Sequence, residues 1–184
     1  MKINNAWLEN IKRTVSDNFD ARPAGVEINL LVIHNISLPP GEFGNGNIEK
    51  LFTNQLLATA HPYFATILPL KVSSHVLIDR EGVLTQFVSF NDRAWHAGVS
   101  EFQGQPACND YSIGIELEGT DNTAYTDKQY QALAELTRCL MQYYPEITLD
   151  RIKGHSDIAP GRKTDPGVAF DWVYFRTLLQ QTEN

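Results

Sequence analysis

The sequence predicts a mixed α/β fold, one domain in which helices pack on a central sheet, and three stretches carry that prediction. Residues 28–34 are apolar on both faces over their middle, as a central strand buried on both sides must be. Residues 113–118 alternate strictly, which sends Ile113, Ile115 and Leu117 to one face and Gly114, Glu116 and Glu118 to the other. A third stretch, from Thr126 to Tyr144, repeats apolar or small residues at helical spacing. Strands precede, separate and follow helical patterns, which fits a mixed sheet with helices on it better than an all-α or all-β fold.

Taken in order, the first strand ends in His34. Residues 38–69 then form a long, weakly patterned connection with Pro39, Pro40, Gly41, Gly44 and Gly46, a short helical pattern at Ile48, Leu51 and Phe52, and His61 before Pro62. A connection of that length is expected to be a functional loop or lid. Residues 74–78 and 83–88 read as a hairpin around Asp79, Arg80, Glu81 and Gly82, with the glycine placed for a type I turn and bulge. The long helix starts at a capping box, Thr126 with Gln129, and stops before Pro145. Asp171 is the expected N-cap of a last helix that buries Trp172, Phe175 and Leu178 or Leu179.

Composition bounds the partners. The chain has 184 residues with 22 Asp+Glu against 15 Lys+Arg, a net charge of -7, and no basic patch that would offset repulsion from phosphate backbones, so nucleic acid is not expected. A hydrophobic share of 42% with 20% charged residues is that of an ordinary globular protein. Its longest apolar run, residues 30–33, falls far short of the ~20 residues that span a bilayer. No linker, repeat or low-complexity tract divides it, so one domain over 1–184 is expected, with its core at about 28–180; a monomer is expected, though with no exposed apolar stripe or heptad the sequence itself does not give the oligomeric state. The first ten residues carry no signal-like apolar run, and Cys108 and Cys139, in no Cys-x-x-Cys pair, are expected as free thiols; both point to the cytoplasm.

Two places stand out chemically: His34 at the end of a buried strand, and residues 154–167, which combine His155, Lys163 and Asp165 with Pro160, Gly161, Pro166 and Gly167. His34, His155 and Asp165 make a two-nitrogen, one-oxygen set suited to zinc with an open fourth position. On residue types alone the alternatives stay open: His34 as a hydrogen-bonded structural histidine, and Asp165 before Pro166 as a turn-initiating aspartate. Of the two carboxylates on the strand, Glu116 is flanked by Ile115 and Leu117, whereas Glu118 adjoins Gly119 at the exit; desolvation is therefore expected to raise Glu116 towards the range of a general base.

Four blocks in order resemble the AmpD-type N-acetylmuramoyl-L-alanine amidases: residues 32–44 (VIHNISLPPGEFG), 94–100 (AWHAGVS), 108–120 (CNDYSIGIELEGT) and 154–167 from Gly154-His155 to Asp165-Pro166-Gly167. Together they cover the chain from about Leu30 to Phe175. The resemblance implies the zinc amidase fold shared with phage amidases and peptidoglycan recognition proteins. It also implies one zinc held by His34, His155 and Asp165, with Glu116 and Lys163 as the catalytic pair. In that scheme Glu116 takes or steers the proton of a water, and Lys163 helps stabilise the oxyanion formed at the lactyl carbonyl. Asn35 is expected to hold substrate amides and Trp95 to offer a sugar a flat face; His75 and His96 are expected in supporting roles, as reserve ligands should His34 fail.

The resemblance also implies arginines that face stem-peptide carboxylates near positions 71 and 107. Lys71 keeps the charge without the two-pronged geometry and Ala107 keeps neither, with Arg162 as a possible substitute. The implied reaction is hydrolysis between the lactyl group of 1,6-anhydro-N-acetylmuramic acid and L-alanine in small muropeptides, during peptidoglycan recycling. Two other readings stand beside it: an amidase acting on polymeric wall, and a muropeptide-binding module of the same fold without catalysis.

Overall fold

The computed structural model of the chain describes residues 1–181. Six strands form its central sheet: β1 (Lys12–Arg13), β2 (Leu30–Ile36), β3 (Val76–Ile78), β4 (Leu84–Gln86), β5 (Ser112–Glu118) and β6 (Ile152–Gly154). Their spatial order is β6-β2-β5-β3-β4-β1. Pairing is parallel from β6 through β2 and β5 to β3; β3 and β4 form the expected antiparallel hairpin, and β1 lies parallel to β4 at the edge. The sheet is thus mixed.

Local chemistry accounts for the elements. Gly82 sits at φ +78 in the hairpin turn and its N–H donates to the Asp79 carbonyl at 3.0 Å. A side chain there would also meet the Lys128 carbonyl oxygen at 2.7 Å, so glycine is required twice over. Helix α3 (Asp127–Tyr143 in the chain, third of five) opens on the full capping box of Thr126 and Gln129. Before it come α1 (Asn47–Phe52) and α2 (Pro62–Ile67); after it come α4 (His155–Ile158) and α5 (Trp172–Gln180), whose N-cap is Asp171. Among the described residues no helix is long and apolar enough to cross a membrane.

The two faces of the sheet differ. On the back, Leu31, Ile33, Val76, Ile113, Ile115 and Leu117 join Leu133, Leu136, Leu140 and Phe175 from α3 and α5 in one apolar layer. Ala6 and Leu8 belong to that layer too, so the N-terminal segment contributes to the core as well as to the sheet edge. Of the residues expected on α5, Phe175 is buried, while Trp172, Leu178 and Leu179 are partly buried against the layer.

The front face carries two smaller apolar clusters, one at each side. Leu30 and Val32 pack with Ala97, Cys108, Tyr111 and Ile158. Leu77 packs with Leu38, Ile48, Leu51, Phe52, Phe64 and Phe87. The second cluster shows that the connection over 38–69 is not a bare loop: α1 and α2 give it its own core. His61 caps α2 by accepting from the Tyr63 N–H at 3.1 Å, and Pro62 takes the first helical position, where no N–H is needed. Between the two clusters runs a strip of polar side chains.

Candidate metal centre

The polar strip lies at the carboxyl ends of the parallel strands, where sites form in open α/β sheets. Register places Glu116 of β5 beside His34 of β2, and β6 delivers His155 as the first residue of α4. Asp165 returns from the loop that follows. His34 Nδ1, His155 Nδ1 and Asp165 Oδ2 form a triangle whose three edges are each 3.0 Å. Among the described residues these are the one group of three or more His, Cys, Asp or Glu able to hold a metal ion. The sequence-derived ligand set is therefore brought together, across more than a hundred residues of chain.

Each histidine has its other nitrogen engaged. His155 Nε2 donates to the Ala97 carbonyl at 3.0 Å; a carbonyl only accepts, so Nε2 carries the proton and Nδ1 offers its lone pair to the triangle. His34 Nε2 lies 2.9 Å from His96 Nδ1. Burial pushes the His34 pKa down to about 4, against the opposing pull of Asp165, so the ring is neutral near pH 7. Burial pushes Asp165 up, but its close contacts with His155 and His34 outweigh it and hold the carboxyl below its ordinary range. Two neutral imidazoles and a carboxylate converging with their lone pairs are the donor chemistry zinc takes.

The two carboxylates of β5 part company here. Both are buried, Glu116 at 8% exposure and Glu118 at 4%, so burial does not separate them as flanking residues led us to expect. Hydrogen bonding does. Glu118 accepts from the Gly44 N–H at 2.6 Å and the Arg80 N–H at 3.3 Å, tying the connection of 38–69 to the sheet. Glu116 Oε2 is buried without a partner. Its pKa is raised well above the carboxylate range, first by burial and then by the charge of Asp165, with Lys163 opposing.

A cavity of about 580 Å³ opens over these groups, and His34, Glu116, His155, Lys163 and Asp165 all line it. Lys163 is exposed and its ammonium makes no hydrogen bond among the described residues. Asn35 and Trp95 line the cavity as well; the Asn35 amide donates to Asp121 at 2.8 Å, and the Trp95 indole N–H to Asp20 at 3.1 Å. Lys71 stands apart. It is exposed, its ammonium donates to Asn54 at 2.9 Å, and it is not among the lining residues. Arg162 lines the cavity with its guanidinium donating to the carbonyls of Ala97 and Val99. Ala107 is exposed elsewhere.

Neither reserve histidine joins the triangle. His75 Nδ1 accepts from the Gly114 N–H at 3.0 Å, which leaves Nε2 to donate to the Asp92 carbonyl at 3.1 Å. His96 faces the far side of the His34 ring. Sequence reasoning missed Asp121 and Arg22. The buried Arg22 guanidinium ties together the carbonyls of Phe90, Asn109, Asp110 and Ser112 behind the site. Its lone position near the N-terminus gave no signal, because the carbonyls it binds lie at least 68 residues away.

Comparisons with known proteins find the family and the fold. A family model described as N-acetylmuramoyl-L-alanine amidase matches residues 24–168. The chain is 55% identical over 181 residues to the 1,6-anhydro-N-acetylmuramyl-L-alanine amidase AmpD of Escherichia coli K12, covering 98% of each chain. A crystal structure of a selenomethionine AmpD derivative superposes with a TM-score of 0.95 at 55% identity, over 97% of this chain and 99% of that one. AmpDh3 from Pseudomonas aeruginosa, solved in complex with anhydromuramic pentapeptide, matches at TM-score 0.65 and 28% identity, over 85% of this chain and 61% of that one.

Proposed function

Since the chain belongs to the N-acetylmuramoyl-L-alanine amidase family, we propose that it is a zinc amidase that cleaves the amide between the lactyl group of 1,6-anhydro-N-acetylmuramic acid and L-alanine in muropeptides, a step of peptidoglycan recycling in the cytoplasm. The supporting observation is the meeting of three metal donors, an unpartnered buried carboxyl and an unpaired ammonium on one cavity wall.

One zinc per chain would be held by His34, His155 and Asp165. Bound there, zinc supplies Lewis acidity, bringing the pKa of a water to about 7 and polarising a carbonyl. Glu116 is the general base: its carboxyl is desolvated, free of competing donors and raised towards neutral pH, the condition for taking a proton from water and returning it to the leaving amine. Lys163 donates to the oxygen of the scissile carbonyl as negative charge develops. Asn35 presents its amide to substrate amides and Trp95 its ring to the sugar, with the Trp95 indole N–H held by Asp20. Lys71 reaches a stem-peptide carboxylate only by leaving Asn54. The protein acts as a monomer on this reading, and its two free buried cysteines suit a reducing compartment.

The test is a product analysis. Purified protein is assayed for zinc, then incubated with an anhydro-muropeptide or with purified sacculi, with and without a chelator, and products are identified by mass. The expected outcome is one equivalent of zinc and chelator-sensitive release of a peptide beginning with L-alanine from the muropeptide, with sacculi cleaved far more slowly. Faster release from sacculi assigns a wall amidase instead. Zinc-loaded protein that cleaves neither is a binding module, and the proposal fails.

A further inference from the structure

The segment 95–97 touches both proposed metal histidines, by different means. Ala97 offers its carbonyl to His155, and His96 offers its ring to His34, with the imidazoles edge to face at 81° and 5.0 Å between centroids. The segment is itself fixed. Asn109 Oδ1 accepts from the N–H groups of both His96 and Ala97, at 3.2 and 2.8 Å, and the Trp95 N–H donates to Ser73 Oγ at 3.0 Å. Strand β5 makes room for it: a Cβ on Gly114 would lie 2.4 Å from the His96 ring carbon Cγ. Glycine is needed there for the close approach of an imidazole, since nothing else in the alternation of β5 calls for it.

One proton lies between His34 Nε2 and His96 Nδ1, 2.9 Å apart. Were His96 to hold it, neutral His34 would carry its own proton on Nδ1, which then has no lone pair for a metal. Were His34 to hold it, Nδ1 is free, and His96 in turn carries a proton on Nε2. That proton has an acceptor, Ser112 Oγ at 3.2 Å. A chain running from His34 Nε2–H to His96 Nδ1 and from His96 Nε2–H to Ser112 Oγ is therefore the direction that leaves the His34 Nδ1 lone pair free; the reverse, with the Ser112 hydroxyl donating, puts a proton on Nδ1 towards Asp165.

We propose that His96 is a positioning residue of the metal centre: it accepts the Nε2 proton of His34, so that His34 keeps its Nδ1 lone pair aimed at His155 and Asp165, with Gly114 giving the ring its space and Ser112 taking the next proton. Partners of metal-bound histidines of this kind set tautomer and ring orientation, and their loss lowers metal affinity by about 10- to 100-fold. The proposal rests on the zinc reading above, and its test keeps the two apart.

Zinc affinity is measured by competition with a chromophoric chelator for the wild type, His96→Phe and His96→Asn. A wild type that binds no zinc overturns the zinc reading itself. With wild-type binding in hand, His96→Phe, which fills the ring volume without an acceptor, is expected to lose about 10- to 100-fold in affinity. His96→Asn, which leaves a gap but restores an acceptor near Nδ1, is expected to recover most of it. A ring that acts only by filling space gives the opposite order, and that order, or equal affinity in all three, overturns the proposal. Should either variant fail to fold, long-range ¹H–¹⁵N spectra of the zinc-loaded wild type decide alone. A proton on His34 Nε2 with a neutral acceptor at His96 Nδ1 is expected, and a proton on His96 Nδ1 contradicts it.

Discussion

Along β5, Ile113, Ile115 and Leu117 enter an apolar layer with Leu133, Leu136 and Phe175, while Gly114, Glu116 and Glu118 enter a layer of imidazoles, carboxylates and serines. Neighbouring residues of one strand thus follow opposite rules. On the back, each buried aliphatic side chain contributes roughly 1.5–3 kcal/mol by leaving water. On the front, every buried polar atom must find a partner or cost about 1–3 kcal/mol. Most do: His75, His96, His155, Ser74 and Glu118 are all hydrogen-bonded. Among the side chains that β5 sends to this face, Glu116 Oε2 is the exception, and Glu116 lines the cavity. The contrast teaches where to look for chemistry: at the group left unsatisfied on a face that otherwise satisfies its members.

The comparison breaks most visibly if the metal is removed. Dialysis against a chelator, or His155→Ala, is expected to abolish muropeptide cleavage, with activity returning on added zinc only in the dialysed wild type. Full activity without metal would deny the front face its role. Lys163→Ala is expected to lose about 10²- to 10³-fold in kcat with zinc content unchanged, since a single oxyanion donor is worth that much. Near-normal turnover removes Lys163 from the mechanism.

The back face should respond in the other currency. Leu133→Ala, which empties a fully buried position, is expected to lower unfolding free energy by about 2–5 kcal/mol while the folded protein keeps its kcat. Denaturant melts and steady-state rates on the same samples check this. A smaller effect is expected from acid. The folded pKa of His34 lies at about 4, below the ordinary imidazole value of 6.5, so the unfolded chain binds the extra proton between those values. Stability of metal-free protein present above pH 6.5 is therefore lost as pH falls towards 4, by up to about 3 kcal/mol from this group. His34→Gln should flatten that part of the profile.

Sequence carried much of this and stopped at identifiable places. The alternation of 113–118 sorted the two faces of β5, and Thr126 with Gln129, Pro145 and Asp171 marked helix ends, because these signals are local. The strand order was not legible, since parallel partners lie far apart in the chain. Residues 38–69 read as a loop because α1 and α2 are each a turn or two long and bury their apolar residues against β3 rather than against each other in an obvious period. At the site, resemblance picked out the donors, and the geometry brings the same three together. The roles of Glu116 and Glu118 differ through the backbone N–H groups of Gly44 and Arg80, and Lys71 is drawn to Asn54; neither is written in the neighbouring residues.

Glu116→Gln bears most directly on the idea that the front face gives up stability for chemistry. The carboxyl's folded pKa is raised, so the folded state holds its proton above the unfolded pKa near 4.5, and wild-type stability declines as pH rises from there towards neutrality. Glutamine has nothing to ionise. The account predicts that the variant binds zinc, loses about 10²- to 10⁴-fold in kcat, and in metal-free form melts at or above the wild-type temperature by a margin that grows from pH 4 to pH 7. A variant that keeps its turnover, or that melts below wild type at neutral pH, would contradict it.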